Sequence, residues 1–132
     1  MNQVENLHYA IGQLAFAVAF SDGKVQKEER LIFENIVNTE LANHDLNFNV
    51  SDIIFKVLEK DKIDSNTIYE WAMKEINLNV YYLSPALKEK FISVMEKVAI
   101  AFPPVTKDEN SIISRFKNDI AGLHGDPVYY NK

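Results

Sequence analysis

A stretch without one formal charge, NLHYAIGQLAFAVAFS, runs from Asn6 to Ser21. Leu7, Ile11, Leu14 and Val18 recur along it at helical spacing, while Phe16 and Phe20 lie off that stripe. A helix that is apolar on most sides has no face to give to water, so other helices must surround it. The run is 16 residues long and includes Asn6, His8, Gly12 and Gln13, whereas a membrane span takes about 20 mostly apolar residues. The expectation is a central core helix and no membrane insertion.

The rest of the chain supplies its cover. Helix one is expected from Gln3 to Ser21, stopped at Asp22-Gly23, where glycine accepts the left-handed conformation that ends helices. Helix two is expected from Gln26 to about Asn43, with Ile32, Phe33, Ile36, Val37 and Leu41 inward. Ser51 can cap a shorter third helix reaching about Asp61. Thr67 and Glu70 fit a capping box for helix four, with Asp64 or Ser65 as alternative caps. That helix carries two stripes, one through Tyr69, Met73, Ile76, Val80 and Leu83, the other through Trp71, Leu78 and Tyr82. Trp71 is read as a core residue.

Ser84-Pro85 pairs a capping hydroxyl with proline at the first helical position, the clearest start signal in the chain. Leu87, Phe91, Val94, Val98 and Ala101 follow, until Pro103-Pro104 ends helix five. Helix six runs from Thr106 with Ile113, Phe116, Ile120 and Leu123 inward, and Gly122 and Gly125 mark its end. No segment combines strand alternation with turn signals. The expected fold is all-α: a single compact bundle of about six helices over residues 1–125, followed by a tail, 126–132, whose Tyr129 and Tyr130 either dock or stay free.

Composition narrows the function. A chain of 132 residues can bury about two thirds of its unfolded surface without staples. With no cysteine there is no disulfide, thiolate metal site or cysteine nucleophile, which fits a reducing cytosol and a cytoplasmic location. The net charge of -5, with lysines and arginines scattered among acids, disfavours nucleic acid. The segment MNQVEN lacks the basic flank of a signal peptide.

Shifted by 80 residues without gaps, VAFSDGKVQKEERLIF meets VAIAFPPVTKDENSII. Val18, Ala19, Val25, Lys27 and Glu29 meet identical residues at Val98, Ala99, Val105, Lys107 and Glu109, and Glu28 meets Asp108. Two pseudo-symmetric helical hairpins are therefore expected within the bundle. The copies diverge at the turn, where Asp22-Gly23 is matched by Phe102-Pro103.

The pattern Ala19-x-x-Asp22-Gly23-x-Val25-x-x-x-Glu29 after an apolar helix resembles the TerB-like family, as does the second hairpin, Ser84 to Leu123. That resemblance implies an all-helical, non-enzymatic module serving protein interaction in a stress process related to tellurite resistance. It also implies a divalent cation held by Asp22 and Glu29 in the first motif and Glu109 in the second. Phe102 departs from the family's second acid-glycine turn.

Physical chemistry reads the acids in two ways. Asp22 follows the negative end of a helix, at a cost of up to about 1 kcal/mol that a bound Ca²⁺ or Mg²⁺ would reverse. Glu29 and Glu109 occupy first turns, where backbone capping alone accounts for a glutamate. No EF-hand spacing, helical zinc pair, nucleophile elbow or phosphate loop is present, and His8, His44 and His124 read as surface or structural residues. No catalytic residue is assigned. The alternative function is a bundle that binds a small molecule, lipid or anion, in a pocket lined by Phe16, Phe20, Trp71, Tyr81 and Tyr82. The protein partner is unspecified, and the second stripe of helix four offers a surface for a homodimer.

Overall fold

Asn2 and Glu5 open the first helix reciprocally. The Glu5 amide donates to Asn2 Oδ1 at 2.8 Å, and the Asn2 amide donates to Glu5 Oε1 at 3.1 Å. Two orphan donors are satisfied at once, a device that stabilises a helix by about 1 kcal/mol. In the computed structural model, which describes residues 2–20, 27–40, 53–59, 62–101 and 107–131, this cap starts α1 (Gln3–Ala19). Every residue from Ala10 to Phe20 is buried, as are Leu7 and His8. The charge-free run is the axle of the bundle, as its composition requires.

The sheath consists of α2 (Lys27–Glu40), α3 (Ser65–Leu78), α4 (Pro85–Ala101) and α5 (Lys107–Ala121). A π-helical turn (Phe55–Glu59), a 3-10 turn (Val80–Tyr82) and a single-turn helix, α6 (Pro127–Tyr130), complete it. No strand occurs among the described residues, and none of their helices is long and apolar enough to cross a membrane. The chain is an all-α bundle.

Packing follows a pattern that survives exchange of the two hairpins. Helix α1 packs on α4; α2 touches its own partner α1 and also α4; α5 touches its own partner α4 and also α1. Swapping α1 with α4 and α2 with α5 returns the same set of contacts. Helices α1 and α4 are 17 residues each, α2 and α5 are 14 and 15, and α2 starts at Lys27 where α5 starts at Lys107, the expected shift. Helix α3 breaks the symmetry: it packs chiefly on α1 and has no counterpart under the exchange.

The inward faces are mostly those the spacing predicts. Phe33 and Val37 of α2, Phe91, Val94 and Val98 of α4, and Ile113, Phe116 and Ile120 of α5 are buried. Phe16, Phe20 and Phe33 form a tilted and edge-to-face trio with ring centroids 4.9 to 6.2 Å apart, fastening α2 to the C-terminal half of α1.

Three local expectations change. Ile32 is exposed rather than inward, because Phe33 and Val37 define the contact line of α2. Trp71 is 44% exposed and Leu78 69% exposed, so only the Tyr69 stripe of α3 is core. Helix α3 ends at Leu78 rather than running to Leu83: the Asn79 side chain donates to the Glu75 carbonyl at 2.7 Å, and the backbone tightens into the 3-10 turn. Its N-cap is Asp64, which accepts from the Thr67 amide at 2.9 Å and the Thr67 hydroxyl at 2.7 Å.

Polar side chains tie the sheath together at its edges. Lys97 of α4 pairs with Glu40 of α2. Between α3 and α5, the Tyr69 hydroxyl donates to Asp119 Oδ2 at 2.6 Å, and the Arg115 guanidinium lies over the Tyr69 ring, 4.1 Å from its centroid. Arg115 also donates to Asn66 Oδ1 at 3.0 Å. Burial, then the Asp119 carboxylate, hold the Tyr69 phenol above its ordinary range. Its contribution to stability is therefore complete below the unfolded value of about 10 and is lost as pH rises beyond it. Tyr69→Phe is expected to cost about 1 kcal/mol in urea unfolding at neutral pH, and to flatten the loss of stability above about pH 10.

Candidate functional site

Ser84-Pro85 starts α4 as its sequence requires, and the start leaves one backbone donor over. Ser84 Oγ accepts the Leu87 amide at 3.1 Å, the Ser84 carbonyl accepts the Lys88 amide at 3.0 Å, and Pro85 has no N–H. Among the described residues, neither the cap nor the helix takes up the Ala86 amide. Ala86, Leu87 and Lys90 share one face of α4 at helical spacing.

That face forms one side of a pocket of about 630 Å³, within the usual range for small-molecule sites. Val4 and His8 of α1, together with Tyr82 of the 3-10 turn, form another side. The third comes from Tyr129 and Tyr130 of α6. His8 is fully buried beneath it: Nδ1–H donates to the Val4 carbonyl at 2.7 Å, and the ring meets Phe91 edge-on at 6.2 Å. Among the described lining residues, Lys90, half-buried, brings the one ammonium, and none is an acid. Among the described residues, no carboxylate forms an ion pair with Lys90.

The wall made by α6 exists because the tail docks. Asp126 caps the short helix, its side chain accepting from the Val128 amide at 2.9 Å. The Asp126 amide donates to the Tyr81 carbonyl at 2.9 Å. Tyr129 stacks on Tyr81 with centroids 5.3 Å apart and meets Tyr82 edge-on at 5.5 Å. Lys88 of α4 donates to the Leu123 carbonyl at 2.8 Å, holding the preceding turn. Gly125 lets the two backbones meet: a Cβ there would lie 2.4 Å from the Leu83 carbonyl oxygen. Tyr130 also lines a second cavity of about 410 Å³, beside Leu83, Ile92 and His124.

The expected sites and this pocket coincide at one residue. Of the aromatics expected to line a small-molecule pocket, Tyr82 does so; Phe16 and Phe20 are instead consumed by core packing, and Trp71 and Tyr81 face solvent. For the cation reading, Asp22 lies outside the described residues, as does the side chain of Glu109. Glu29 is half-buried in the first turn of α2. Among the described residues, no three His, Asp or Glu side chains gather as metal ligands. The sequence alone does not single out Lys90, and it reads His8 as a surface or structural residue. Neither spacing nor composition separates a pocket lysine from a solvated one; the signal lay in Gly125-Asp126-Pro127, a cap and proline start for the helix that closes the pocket.

Comparison with known proteins gives no match: no family model, curated protein or solved structure matches the chain.

Gly125→Ala is expected to undock α6 at a cost of about 1–3 kcal/mol, the range for forcing extra atoms into a packed site. Gly122→Ala, whose Cβ would meet nothing within 4 Å, serves as the control with little or no loss. Urea unfolding, with amide exchange at Tyr129 and Tyr130, separates the two.

Proposed function

We propose that this protein is a binding module that takes a small molecule into the pocket between the N-terminal half of α1, the start of α4 and α6. One observation carries the reading: a cavity of about 630 Å³ whose lining is mainly apolar and aromatic but includes a convergent amine, hydroxyl and phenols. Binding rather than catalysis suits these groups. Ser84 Oγ is engaged as the helix cap, and no acid is among the described lining residues to pair with a base or nucleophile. A neutral apolar fluorophore, N-phenyl-1-naphthylamine, should brighten on mixing with the protein. Ala86→Trp, which fills the pocket from an exposed helical position, should abolish the signal while leaving the melting temperature within a few degrees. Equal brightening by Ala86→Trp would place the probe elsewhere and contradict the reading.

A second reading is favoured by the hairpin register, in which α2 and α5 begin 80 residues apart. It is that of a non-enzymatic TerB-like module in the cytoplasm, associating with a protein partner in a stress response and holding Ca²⁺ or Mg²⁺ at the Asp22-Gly23 turn through Asp22, Glu29 and Glu109. Under this reading Ca²⁺ raises the melting temperature and Asp22→Asn removes the increase. Identical melts with and without Ca²⁺, Mg²⁺ and Mn²⁺ would rule out the cation.

A further inference from the structure

The pocket lining mixes two kinds of surface, and the mixture selects a ligand. Val4 and Leu87 with Tyr82, Tyr129 and Tyr130 offer apolar and aromatic surface. Beside them, α4 contributes Lys90, Ser84 and Ala86. Helical side chains lean toward the N-terminus of their helix, so Lys90 reaches back over Ala86, one turn earlier. This brings an ammonium without a carboxylate partner among the described residues to the first turn of a 17-residue helix. That turn carries partial positive charge, and its Ala86 amide is taken up by neither cap nor helix. The Ser84 hydroxyl accepts from Leu87 and keeps its own proton to donate. Three donors, with no acidic side chain among the described lining residues, define a head-group site for an anion; the tyrosines and aliphatic residues define a site for an apolar tail.

We infer that the pocket, on the binding reading above, holds a single-chain amphipathic carboxylate. Its head lies between Lys90 and the first turn of α4, and its tail lies against Val4, Leu87 and the α6 tyrosines. The overall charge of -5 opposes an anion only at range. At physiological salt that repulsion is screened beyond about 8 Å, whereas a carboxylate in contact with Lys90 gains charge-assisted hydrogen bonds at short distance. The α6 wall adds a second consequence: loss of its tyrosines removes tail contacts without touching the head site. Tail length is therefore read by α6 and head charge by α4.

The test is an amide-detected NMR titration of the full chain with decanoate and decan-1-ol, which share a tail and differ in the head. Decanoate should bind about tenfold more tightly or better, with shifts at Leu87, Lys90 and Tyr130. Lys90→Met should remove most of that difference by weakening decanoate alone, and Lys90→Arg should retain it. Equal affinities for wild type, or a difference that survives Lys90→Met, would overturn the carboxylate assignment and leave the pocket as a site for neutral ligands. No shift at these amides with either compound would overturn both.

Discussion

Between Ala10 and Phe20 every side chain of α1 is buried, and a helix buried on all sides must be enclosed by several others. Two elements could not do it. Here α2, α3, α4 and α5 each contact α1, and the Phe16–Phe20–Phe33 trio closes the gap at its C-terminal half. Removing one large aliphatic from such a core costs about 2–5 kcal/mol, a sizeable share of a marginal total. The hairpin duplication follows the same logic: two copies of one unit place a second apolar helix, α4, beside the first.

Enclosure weakens toward the other end of α1. Val4 is 37% exposed, and beyond it the cover consists of the 3-10 turn, the start of α4 and a single turn of helix from the tail. The pocket is the space left there. Its polar groups come from helix-start chemistry, since Ser84, Pro85 and Ala86 are what begins α4. Structure and candidate function thus share the same residues: the signal that nucleates a helix also leaves an amide and a hydroxyl at the mouth of a cavity. Tail docking depends on Gly125 and on aromatic contact with Tyr81 and Tyr82, so the pocket's third side rests on a few local contacts of a single helical turn.

Much of the architecture was legible because the decisive patterns are local. The charge-free run specified a central helix, Ser84-Pro85 its helix start, and the spacing of Phe91, Val94 and Val98 a buried face. Trp71 was misplaced because size and apolarity favour burial on average, yet the rotation of α3 about its axis is fixed by Tyr69 and its bond to Asp119, fifty positions later in the chain. The pocket was expected between aromatic residues of the core. Close packing consumed Phe16 and Phe20 there, and the cavity arose where short elements meet. Lys90 acquires its setting only when α6 returns to α4, which periodicity within one helix does not encode.

Native-state hydrogen exchange tests the axle most directly. If α1 is held from every side, its amides from Ala10 to Ala19 exchange only through global unfolding, at the full free energy of the fold, while those of α2 and α6 open at lower cost. Exchange of these α1 amides by local opening, as fast as that of α2, would mean that the sheath does not depend on α1 and would contradict the account.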